Sequence, residues 1–136
     1  LRSIQKMIEI TGLRASIATD PNEIAKADSL VLPGVGHFGR AAEQLRNRGL
    51  EKPIRDAVLE RKRPLLGLCV GAQLLFEWSE EGDARGLDLL RGRVRRFSLT
   101  DTSYKLPNVG WRQIKVTRAN SLVSEEDANR FYFMHS

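Results

Sequence analysis

Apolar residues change their spacing several times along the chain, and each change marks a predicted element. In "LRSIQKMIEITG", Leu1, Ile4 and Ile8 share one helical face and Gly12 stops the run, so the chain opens on a helix. "ASIAT" then reads as a short strand, and "DPNEIAKA" as a short helix with Asp20 as N-cap and Pro21 at the first helical position. "SLVLPG" is a buried strand ended by proline and glycine. Helical spacing returns over residues 38–48 and 51–62 on either side of Gly49, with Ala42, Leu45, Ile54, Val58 and Leu59 facing inward. "RPLLGLC" is a third apolar strand, and "GAQLLFEWSEE" reads as a helix directly after it.

Strands alternating with helices predict an α/β fold, an open and mostly parallel sheet flanked by helices with right-handed crossovers. After Gly86 the spacing changes again. "GRVRRF", "WRQIKVT" and "RFYFMHS" read as strands joined by loops, an antiparallel extension of the sheet. A chain of 136 residues is one domain's worth, so residues 1–136 are taken together. It opens on a helix with no strand before it and stops on an aromatic strand, so a domain truncated at both ends is expected.

Composition narrows the classes. Hydrophobic residues at 41% and charged residues at 29% fit a globular protein, and no run is apolar enough to span a membrane. A single cysteine excludes an internal disulfide framework and any CxxC-type metal cluster, which makes a cytoplasmic location the default. No metal site and no cofactor are expected. The net charge of +5 raises the question of nucleic acid, but Arg91, Arg93, Arg95 and Arg96 alternate with Val94 and Phe97 as a strand with one wet face. Without an aromatic ladder this is read as a solvated basic face, with no nucleic-acid partner.

The lone cysteine stands in "GLCVGAQ", where a strand hands over to a helix. Ligands of open parallel sheets collect beyond the carboxyl ends of the strands, and Cys69 lies on that edge. A sharp strand-to-helix turn needs small neighbours, which Gly67 and Gly71 supply in the manner of the serine elbow of α/β hydrolases. The start of a helix favours a thiolate, so Cys69 is a candidate nucleophile. The bland alternative is a small buried hydrophobe ending a strand. Thiolate attack on a carbonyl needs N–H donors for the oxyanion, and Val70 supplies one. A second donor fits "PGVG", residues 33–36, on the same edge, although that stretch also reads as an ordinary turn.

"LPGVG", "GLCVGAQLLFEWSEEG", "KLPNVGW" and "FYFMHS", in this order, resemble the class I (triad) glutamine amidotransferases of flavodoxin-like fold, and among them the glutaminases of histidine biosynthesis. The resemblance runs through essentially the whole chain. It implies that Cys69 attacks the side-chain amide of glutamine, forms a thioester and releases ammonia. That ammonia would pass through a channel to a cyclase subunit of imidazole glycerol phosphate synthase, the partner of a heterodimer. The products there are imidazole glycerol phosphate and an aminoimidazole carboxamide ribotide. The resemblance places the backbone N–H groups of Val35 and Val70 in the oxyanion hole. It makes Gln73 and Glu81 side-chain contacts to glutamine, and gives Gly36, His135 and Ser136 its main-chain end. Trp111 is similar to the aromatic that faces the synthase partner. Each has a plain alternative: an exposed glutamine, an end-of-helix charge, a core tryptophan.

The family's base is a histidine oriented by glutamate in a His-x-Glu arrangement. Neither His37 nor His135 is followed by a carboxylate two residues on, so the resemblance places base and orienter beyond Ser136. It places a first strand with a glycine-rich turn before Leu1. Two other functions stay open: a glutaminase serving another synthase, such as a sugar-modifying one, and a non-catalytic subunit that binds a partner.

Overall fold

The computed structural model describes residues 1–98, 105–120, 123 and 130–136. They divide into two compact units, Leu1–Arg95 and Arg96–Ser136.

The first unit opens with α1 (Arg2–Ile10), closed by Thr11 and by Gly12 at φ +85°. Ile4 and Ile8 are half-buried. Residues 13–19 were expected to include a strand and form none; the Gln5 side chain donates to the Ala15 carbonyl at 2.9 Å instead. A β-prone run becomes a strand only where a neighbour completes its ladder. Helix α2 (Pro21–Lys26) begins as predicted: Asp20 accepts from Asn22 N–H and Glu23 N–H, and Glu23 reaches back to the Asp20 N–H to close a capping box.

Strand β1 (Leu30–Gly34) pairs in parallel with β2 (Leu65–Cys69), and the register sets Gly34 opposite Cys69. Helices α3 (Phe38–Asn47) and α4 (Glu51–Leu59) form the crossover, parted by Gly49 at φ +65°. Leu50, Ile54 and Ala57 are the buried positions around α4, while Leu59, expected inside, is exposed. The spacing of four and then three residues is helical, but it runs through the small Ala57 instead of the larger Leu59.

The long helix expected after Cys69 is a single turn, α5 (Val70–Gln73), followed by β3 (Phe76–Ser79). Tertiary pairing takes the carbonyls a longer helix would have used: Leu87 N–H donates to Leu74 O at 2.7 Å, and Leu89 N–H to Leu75 O at 2.8 Å. Gly86 permits this approach, because a Cβ there would stand 2.2 Å from Phe76 O. β3 lies between β4 (Ala84–Arg85), antiparallel, and β5 (Leu90–Val94), parallel. The parallel pairing of β5 departs from the antiparallel reading of "GRVRRF". Arg91 and Arg93 are exposed and Gly92 and Val94 half-buried, so the strand does have one wet face.

Two clusters form the core of this unit. One gathers Ile24, Leu50, Ile54, Ala57 and Leu87; the other gathers Phe38, Ala42, Val70 and Leu74 directly behind the Cys69 turn. The second unit holds β6 (Asn108–Gln113) and β7 (Arg130–His135), paired antiparallel with Asn108 opposite His135. β6 starts three residues before "WRQIKVT" and ends at Gln113. Among the described residues no helix is long and apolar enough to cross a membrane.

Candidate active site

Cys69 ends β2 and begins α5 at φ 54° and ψ −121°, a conformation that L-residues rarely hold. Its thiol is exposed, which leaves the buried-hydrophobe alternative without support. The glycines around it are dictated by contact. A Cβ on Gly67 would stand 2.5 Å from Ala72 Cα, one on Gly71 1.8 Å from Leu32 O, and one on Gly34 2.6 Å from Gly71 N. Backbone therefore packs on backbone between β1, β2 and α5. The Cys69–Val70 turn is held against the end of β1, where Gly34 is the register partner of Cys69.

A helix dipole contributes little at Cys69, because α5 has one turn and the macrodipole grows with aligned peptides. What the turn does supply is backbone. Val70 is buried beside the nucleophile, and "PGVG" leaves β1 on the same edge with Val35 91% exposed and Gly36 at φ +87° in open space. Gln73 lies one turn after Cys69 and is half-buried.

Glu81 does something the sequence did not suggest. Its Oε2 accepts from the Phe38 N–H at 2.7 Å, so it caps α3 across a separation of 43 residues. Its own N–H donates to the Oγ of Ser79, a fully buried serine, at 3.1 Å. His37 is the N-cap of α3, with Nδ1 accepting from Gly39 N–H at 3.1 Å. Histidine ranks low among residues that announce an N-cap, and Ser79 falls in a stretch read as helix, where a serine signals nothing, so sequence reasoning missed both.

Trp111, His135 and Ser136 belong to the second unit. Trp111 is 59% exposed and meets Tyr132 edge to face at 5.8 Å, so among the described residues it is not packed in a core. His135 lies between the rings of Phe97 and Phe133. Arg112 Nε–H donates to Asn108 Oδ1 at 3.1 Å, which leaves Asn108 Nδ2 to donate to His135 Nε2 at 3.0 Å. Ser136 is exposed. Among the described residues no three His, Cys, Asp or Glu side chains converge as metal ligands.

The model of the family "Glutamine amidotransferase class-I" matches residues 1–134. The chain belongs to this family. Similar curated proteins include "Imidazole glycerol phosphate synthase subunit HisH" of Nostoc punctiforme, 43% identical over 138 residues. The protein of the same name from Rhodopirellula baltica is 44% identical over 137 residues. Both matches cover 100% of this chain, and the chain spans 64% and 66% of those relatives' lengths. A solved structure described as a crystal structure of glutamine amidotransferase shares the fold, with TM-score 0.69 and 18% identity, over 98% of this chain and 64% of that one. The α/β amidotransferase fold expected from the sequence is therefore the fold present.

Proposed function

We propose that the chain is the nucleophile-bearing part of a glutaminase subunit that supplies ammonia to the cyclase subunit of imidazole glycerol phosphate synthase, in histidine biosynthesis. The observation that carries this reading is the exposed Cys69 at φ 54°, pressed against the glycine end of β1 in a class-I amidotransferase. The names of the relatives weigh against another synthase as partner, and the elbow geometry weighs against a non-catalytic subunit. The reading takes residues 1–136 as one amidotransferase domain, acting in the cytoplasm.

In this reading the Cys69 thiolate attacks the side-chain carbonyl carbon of glutamine. The oxygen takes up the negative charge and is met by N–H groups of Val70 and of Val35 in "PGVG". Collapse of the adduct breaks the carbon–nitrogen bond, and the amide nitrogen leaves as ammonia once protonated. Water then cleaves the thioester to glutamate and the free thiol. Gly36, Gln73 and Glu81 are the substrate contacts of the first unit, and in the second unit Trp111 faces the cyclase. No residue of this chain is assigned as general base: His37 caps α3 and His135 is tied to Asn108.

The test is Cys69→Ala in the gene product as encoded, assembled with its cyclase. Loss of glutamate and ammonia formation, with synthesis from added ammonium salts retained, is expected. Ammonia release at the parent rate from glutamine would overturn the reading.

A further inference from the structure

The turn that carries Val35 has one loose side and one fixed side. Toward β1, Val35 is almost wholly exposed and a Cβ on Gly36 would meet nothing within 4 Å. Toward α3, the fully buried Phe38 donates its N–H to Glu81, and Gly39 donates to His37. The His37 side chain is exposed, and its ring rests against two glycines. A Cβ on Gly82 would stand 2.6 Å from its Cε1, and one on Gly39 3.3 Å from the same atom. Gly82 is at φ +87° in the turn that links β3 to β4, directly after Glu81.

From this packing we propose that His37 is a positioning residue: its ring, seated on Gly82 and Gly39, couples the turn after Glu81 to the Val35–Gly36 turn that would supply an oxyanion donor. The inference rests on the glutaminase reading above and extends it to a residue outside the reacting set. Cys69 is held by the contacts of Gly34, Gly67 and Gly71, none of which includes the His37 ring, so a change at His37 leaves those contacts in place. A misplaced donor lowers turnover without unseating the nucleophile, and an error near 1 Å is worth up to about a hundredfold.

The experiment measures glutaminase kcat and KM in the assembled synthase, melting temperature, and alkylation of Cys69 by iodoacetamide, for the parent, His37→Ala, His37→Asn, Gly82→Ala and the double variant His37→Asn/Gly82→Ala. Asparagine keeps the N-cap and removes the ring. It is expected to recover the roughly 2–4 °C of melting temperature that alanine loses, while kcat stays about tenfold low. Gly82→Ala, whose Cβ collides with the ring, is expected to lower kcat at least as far. The double variant, with no ring to strike, should exceed Gly82→Ala by about threefold, a non-additive pair. Iodoacetamide should label Cys69 within about twofold of the parent rate throughout, since the thiol has not moved.

Recovery of kcat together with melting temperature in His37→Asn would reduce His37 to a helix cap and overturn the proposal. So would strictly multiplicative effects in the double variant. An inactive parent complex would instead overturn the glutaminase reading, and this inference with it.

Discussion

Gly71 is the position where a single methyl group should do most damage. A Cβ there would stand 1.8 Å from the Leu32 carbonyl oxygen and 2.7 Å from its carbon, both backbone atoms of β1. Carbon meets a carbonyl oxygen comfortably at about 3.3 Å, so Gly71→Ala forces β1 and α5 apart by about 1.5 Å. No rotamer relieves this. Overpacking of a core costs about 1–3 kcal/mol, and this collision sits at or above that range because backbone must yield. In a protein of the relatives' size that lowers the melting temperature by about 2–4 °C per kcal/mol. The same displacement separates Val70 from the turn after β1, so turnover of the assembled enzyme should fall by about a hundredfold or more. Gly49→Ala is the control: it takes the left-handed penalty of about 1 kcal/mol at φ +65° with nothing within 4 Å, and turnover should hold. Thermal melts and glutamate formation measured on both variants decide the matter. Parent-like stability and turnover in Gly71→Ala would refute the claim that backbone contact between β1 and α5 sets the elbow.

Three further outcomes follow from single contacts. Arg55 donates to the carbonyls of Leu87 and Asp88, so Arg55→Lys should lower stability by about 1–2 kcal/mol in a denaturant melt and leave glutamine KM unchanged. Asp20→Ala removes the side-chain half of the capping box of α2, leaving Glu23 to accept from the main-chain N–H of residue 20, and should cost about 1 kcal/mol by the same measurement, again with turnover intact. Trp111 is mostly exposed, so Trp111→Ala should change the melting temperature little; under the proposed function it should weaken cyclase binding by at least about tenfold in a titration calorimeter.

The parts legible in the sequence are those whose cause is local. Asp20 followed by Pro21 and Glu23 contains its whole capping box within four residues, and Gly49 punctuates two helices by its own backbone. The elbow was legible because a chain reversal at Cys69 leaves room for nothing larger than glycine at 67 and 71, whatever surrounds it. What escaped depends on distant partners. "GAQLLFEWSEE" has helical spacing, yet the segment after Gly86 captures the carbonyls of Leu74, Leu75 and Phe76 and turns the second half into a strand. "ASIAT" has strand composition and no ladder. Glu81 lies 43 residues from Phe38, and no spacing rule connects a carboxylate to a helix start across that distance.

Cys69 itself poses the last energetic question, since a non-glycine residue at φ 54° and ψ −121° costs about 1–3 kcal/mol. Nothing in its exposed side chain offsets that cost. The neighbours do: Val70 and Leu74, at 4% and 2% exposure, each contribute about 1.5–3 kcal/mol by burial in the cluster behind the turn. The elbow is therefore imposed on the cysteine from both sides, and a residue that accepts positive φ should relieve it. Cys69→Gly should melt above Cys69→Ala by an amount equivalent to about 1 kcal/mol, both being inactive, because alanine keeps the strain and glycine removes it. Were the glycine variant the less stable of the two, the turn would be relaxed in solution, and the strain at the nucleophile would have to be abandoned as a feature of the site.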